Sequence, residues 1–132
     1  MPINVSWQHE DQGIAYTQFV GHWNMKQFRE GWKRSHELMA GRNGTRVDFI
    51  LDLRQSILIP PDFVRQFRQM RFDPDQNLGK VVFVGADEHL QILITTIIRS
   101  LPYHLNVDFA EEVDDALALI AHARQQLVAL SA

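Results

Sequence analysis

The sequence predicts a single-domain α/β fold in the order ββαβαβαβα. Five strands form a mixed, mostly parallel sheet with an N-terminal antiparallel hairpin, and four helices pack against it. Three observations predict this. Phe49-Ile50-Leu51 and Val81-Val82-Phe83-Val84 are continuous apolar runs, as in strands covered on both faces. Stretches with apolar residues at helical spacing separate such runs, which calls for parallel pairing through crossovers. The chain also opens on two β-rich runs joined by turn residues. Its 132 residues fit one domain, 1–132, long enough to bury a core.

Each element has its own warrant. Ile3, Val5 and Trp7 alternate, and Ile14–Val20 is rich in β-branched and aromatic residues. The turn between them ends at Gly13, and Gly21 ends the second strand. Asn24 with Gln27 three residues on forms a capping box for a helix over 25–40. Met25, Phe28, Trp32, Ser35 and Met39 share one face, while Lys26, Arg29, Lys33 and Arg34 line the outer one. Gly41 suits the left-handed position after a helix. A strand covers 47–53. Pro60-Pro61 can open a helix but cannot continue a central strand. Phe63, Phe67 and Met70 then recur at helical spacing, with Arg65, Arg68 and Arg71 on another face and Asp73-Pro74 closing the helix. Lys80–Gly85 is the fourth strand. Asp87 caps a third helix whose stripe is Leu90, Leu93, Ile94, Ile97, Ile98 and Leu101, stopped by Pro102. A short strand over 105–109 precedes a last helix, 112–130, with Val113, Ala116, Leu117, Ile120 and Leu127 inward. Acids at its start suit the positive end of the helix dipole.

Composition narrows the classes. No apolar run approaches the ~18 residues of a membrane span, and the N-terminus lacks the features of a secretory leader. There is no cysteine, which fits a cytoplasmic protein and excludes thiolate chemistry. The net charge of −3 is uneven. Residues 26–71 hold ten Lys or Arg against five acids, whereas 72–132 hold three against nine. Such blocks are solvated faces or surfaces for docking by charge complementarity. With a pI near 6.0 and no recognised binding motif, nucleic acid is not an expected partner.

The hairpin ending Phe19-Val-Gly-His-Trp23, the strand end Leu51-Asp-Leu-Arg54, the run Val81-Val-Phe-Val-Gly85 and the segment Asp108–Leu117 stand in an order that resembles the STAS domain family. The nearest branch is the small stand-alone bacterial group that is anti-sigma-factor-antagonist-like. The resemblance spans the chain. It implies a non-enzymatic regulatory domain that acts by protein–protein contact. Antagonists of that family carry a phosphorylatable serine at the start of the helix after the third strand. Here that place holds Pro60-Pro61-Asp62-Phe63, with Ser56 some five residues early. The phosphoswitch is therefore not carried over.

Ligands of open α/β sheets bind beyond the carboxyl ends of the strands. The candidate residues there are Asp52, Arg54, Ser56, Ile57, Leu58, Asp62, Phe63, Phe67, Asp87 and His89. Asp52 and Arg54 lie two apart on a strand and face one side, as an ion pair or strand-end cap. Arg54 and the nearby helix N-termini could hold a small anion, although neither loop is Gly-rich. Ile57-Leu58-Ile59 is apolar for a loop. It either tucks under the second helix or covers a pocket or partner surface. Ser56 reads as a loop hydroxyl bonded to backbone. Asp87 with His89 is the acid–histidine pair nearest the edge, but no nucleophile elbow makes a triad with Ser56. None of the six histidines has a helical metal-ligand spacing. No catalytic residue, metal or cofactor is predicted. The expected function is binding: a protein partner or second copy of the chain first, a small apolar or lipid-like ligand under the 54–67 loop second. An enzyme with residues not recognisable in the sequence is third.

Overall fold

The computed structural model describes residues 2–69 and 77–131. Met70, Arg71 and Asp73-Pro74, expected to complete and close the second helix, lie outside them. The architecture is the predicted one. Strands β1 (Ile3–His9), β2 (Ile14–His22), β3 (Val47–Leu58), β4 (Leu78–Val84) and β5 (Asn106–Ala110) form one sheet in the order β1-β2-β3-β4-β5. β1 pairs antiparallel with β2, and every later neighbour is parallel. The helices are α1 (Met25–Ala40), α2 (Phe63–Gln69), α3 (Glu88–Arg99) and α4 (Val113–Ser131). No helix among the described residues is long and apolar enough to cross a membrane.

Strand alternation sorts the core into two layers. Ile14, Ile50, Val82 and Val84 face α4, packing on Ala116 and Ile120. Ile3, Phe19 and Leu53 face the other way, with Trp23, Phe28, Phe63 and Ile94. Ala15, Val47, Phe49 and Val81 meet Met39 of α1 on that second side. The crossovers each move one strand along the sheet in the same direction. Crossovers of one hand then place α1, α2 and α3 on a single face and leave the opposite face to α4.

Several local expectations change. β3 does not stop at Leu53: it stays on β2 to Leu58 through two irregularities, with Gly21 opposite Ser56 at φ +64°. The stretch expected to be a loop is thus largely strand, because β2 also runs on past Gly21. Gly41 is right-handed at φ −68°, and Asn43 and Gly44 take the positive φ angles of this connection instead. Arg34 leaves the outer face of α1: its Nη2 donates to the carbonyl of Ile3 at 2.6 Å. Leu127, expected inward, is 49% exposed, since the sheet no longer covers the C-terminal turns of α4. The capping box forms as predicted, with Gln27 N donating to Asn24 Oδ1 and Asn24 N to Gln27 Oε1, both at 2.9 Å.

Candidate functional site

A cavity of about 150 Å³ lies between the sheet and the three helices α1, α2 and α3. It extends from Leu78, at the start of β4, to Ile59 and Phe63 beyond the end of β3. Its wall is almost wholly aliphatic or aromatic; Thr17 and Ser35 contribute the hydroxyls. The period-2 alternation that buries Ala15 and Phe19 also sends Thr17 inward, where it is 4% exposed. Its Oγ1 has no hydrogen-bond partner. Ser35 instead donates to Gly31 O at 3.0 Å.

Above one end of the cavity sits an aromatic lid. Phe63 and Phe67 of α2 stack with centroids 5.6 Å apart, and Phe63 meets Phe28 and Trp23 edge-on at 5.3 and 5.7 Å. Pairs in this range add to simple burial. Trp23 is fixed by its own polar end: Nε1 donates to Ser56 Oγ at 3.0 Å. Ser56 is therefore a strand residue paired with an indole, where a loop hydroxyl bonded to backbone was expected. Beyond α3 a second, more polar depression of about 500 Å³ is lined by Arg99, Tyr103 and His104. Ile98, Leu101, Leu105 and Val107 wall both spaces, so one layer of side chains separates them.

The predicted residues divide between two sides of the sheet. Phe63 and Phe67 line the cavity, as does Ile59. Ile57 and Leu58 point away from it and are 63% and 62% exposed. Asp52 and Arg54 lie on the α4 side. Arg54 grips Asp52 in a bidentate pair, Nε to Oδ1 at 3.0 Å and Nη2 to Oδ2 at 2.8 Å. Its Nη1 reaches Glu112 at 2.8 Å. Tyr16 donates its hydroxyl to Asp52 Oδ2. Burial pushes the Asp52 carboxyl up, but the bonds from Arg54 and Tyr16 outweigh it and hold it below the usual range. Burial, and then the bond to Asp52, raises the Tyr16 phenol. With its guanidinium shared between Asp52 and Glu112, Arg54 is occupied as a latch between β3 and the start of α4. That is a poor anion receptor.

The rest are positional. Asp62 accepts from Gln66 and Arg65 at the start of α2, and the Gln66 bond leads in lowering its pKa. Asp87 caps α3 by accepting from Leu90 N at 2.8 Å, and His89 is exposed on the first turn. Thr17 and Tyr16 stand outside the sequence-predicted site, and in the sequence Trp23 reads as packing and Glu112 as one of the acids at a helix start. Alternation could have flagged Thr17 as an inward hydroxyl; Tyr16 and Glu112 meet their partners only through the fold. No protein-family model matches this chain, and no curated protein matches it. Fold and cavity together define an α/β domain with a single five-stranded sheet and an apolar interior space on one side.

Proposed function

We propose that this is a STAS-like domain without the serine phosphoswitch, and that it binds a small apolar ligand between its sheet and α1–α3. The observation that carries the ligand reading is the cavity of about 150 Å³ with its apolar wall. Apolar cavities of about this volume stay dry and accept a single aromatic ring. Forfeited packing contacts make an empty one costly, and a ligand restores them. Among the described residues, the aromatic lid on α2 and the thin wall at Val107 are places where a ligand could pass. The STAS resemblance is supported by the observed element order and strand arrangement, and it assigns the domain to the cytoplasm of a bacterium.

Toluene is the probe. At a hundredfold excess over Kd it should stabilise the chain by about 2.7 kcal/mol, read as a rise in Tm. Val107→Phe, which fills the cavity from β5, should abolish that rise. An unchanged Tm for the unsubstituted chain at saturating toluene rejects the reading.

A second reading, protein–protein contact, is favoured by Ile57 and Leu58, large apolar side chains that stand exposed at the end of β3. A homodimer is one form of it. If this surface joins two copies, Ile57→Asp should shift sedimentation toward monomer; a monomer at every concentration removes the homodimer.

A further inference from the structure

We propose that the depression beyond α3 is a second binding site, and that it takes a small organic carboxylate, its anionic head on Arg99 and its apolar body on the side-chain layer beside it. This site stands apart from the inner cavity and does not depend on that cavity being filled. Arg54, the cation expected to receive an anion, is already committed to Asp52 and Glu112. Arg99 is in the opposite condition. The described residues of the acid-rich C-terminal half hold three Lys or Arg: Lys80, Arg99 and Arg124. Lys80 pairs with Asp108 at 3.3 Å and Arg124 with Asp48 at 2.7 Å. Arg99 is exposed, and among the described residues it pairs with no acid.

Helical spacing sets Arg99 on the face that borders the depression. Thr95, Ile98 and Arg99 stand at i, i+3 and i+4 of α3, and all three line it. Leu101, Leu105, Val107 and Phe109 supply an apolar wall, and among the described residues no Asp or Glu joins them. A negative charge there meets a cation without a competing carboxylate. The space of about 500 Å³ is of the size that small-molecule sites take, and an apolar wall with few polar groups is their usual lining. A guanidinium accepts a carboxylate through two parallel N–H···O bonds, which fixes the direction of the head as well as its charge. The carboxylate keeps its ligand out of the dry inner cavity, because an ion buried without a partner costs far more than apolar surface left in water. Ile98, Leu101, Leu105 and Val107, which wall both spaces, are thus the floor of the outer site and no passage for the anion.

The test compares 4-methylbenzoate with 4-methylbenzamide, alike in shape and different in charge, on the full chain. Binding is followed by amide chemical shifts. In the unsubstituted protein the benzoate should bind more tightly, with its shifts centred on Arg99, His104 and Phe109. Arg99→Gln should lower the ratio of benzoate to benzamide affinity by about threefold to tenfold, the worth of a bidentate pair discounted for exposure. Arg99→Lys keeps a cation in the last turn of α3 and should keep the benzoate the tighter ligand. The preference should also weaken as salt is raised. Both variants change an exposed side chain, and an unchanged Tm shows that the fold is intact. Saturating toluene should leave the benzoate affinity as it was. A ratio unchanged in Arg99→Gln, or no benzoate shifts at the depression, overturns this inference and leaves the inner-cavity reading standing. Displacement of the benzoate by toluene overturns it too, since the two would then share one space. Failure of toluene to bind, with the benzoate still preferred, overturns the inner-cavity reading and leaves this site in place.

Discussion

Asp52 is 2% exposed, yet its surroundings favour the charged form. Burial alone would raise its pKa; Arg54 and Tyr16 reverse the sign. Because the folded-state pKa lies below the unfolded one, this carboxylate contributes stability above about pH 4. The contribution is lost as pH falls through the depressed folded value. Tyr16 works in the opposite window. The stability that goes with its raised pKa is fully present below about pH 10 and is lost as pH climbs through the folded value. Arg54→Ala should therefore destabilise the protein at pH 7 by about 2 kcal/mol, discounted because the Arg54 side chain is 40% exposed. The urea midpoint of this variant should also fall less steeply between pH 5 and pH 2 than that of the unsubstituted chain. Parallel pH curves would show that Arg54 does not set the Asp52 titration.

At the scale of elements, the end of β4 is tightly constrained. Gly85 follows the strand with φ +81°, and its N–H donates to Ala110 O at 2.9 Å. A Cβ there would come within 2.4 Å of Arg54 Cγ. Gly21 has a similar φ of +64° but open space around it. Gly21→Ala should cost about 1 kcal/mol, the backbone strain alone. Gly85→Ala should cost about 2 kcal/mol or more, because Arg54 must also shift. Equal unfolding free energies for the two variants would show that the latch yields freely. The lid obeys a different logic. α2 is described over Phe63–Gln69. Its described turns are held by the stacked rings of Phe63 and Phe67 and by their edge contacts with Phe28.

Across the whole molecule, two polar clusters brace opposite ends of the α4 side. The Arg54 latch is at one end. At the other, Asp48 is fully buried and accepts from Arg46 Nε at 2.9 Å, Arg124 Nε at 2.7 Å and Lys80 N at 2.6 Å. Arg124 also donates to Gln12 O at 2.6 Å, so one cluster joins the hairpin turn, β3, β4 and α4. Removing Asp48 strands these donors together. Asp48→Ala should cost about 3 kcal/mol in chemical denaturation, and a loss under about 1 kcal/mol would mean that water replaces the carboxylate readily. The charge asymmetry of the sequence also becomes spatial. Lys26, Arg29 and Lys33 are exposed on α1, and Glu112, Asp114 and Asp115 on α4, across the sheet from one another.

Local chemistry determined the element order, the pairing sense of the strands and the capping of α1 and α3. Hydrophobic periodicity and turn residues act over a few residues, so one chain shows them. The same local pattern located the end of β3 as the edge where polar and apolar candidates gather. It could not tell that β3 continues to Leu58. That depends on β2 running alongside past Gly21, and pairing is not a property of either strand alone. Nor could it separate Asp52 and Arg54, which face α4, from Phe63 and Phe67, which face the cavity. A period of two decides which residues share a face, but only helix placement decides what each face meets. The cavity is wholly tertiary: it is the space left where α1, α2 and α3 do not close on the sheet.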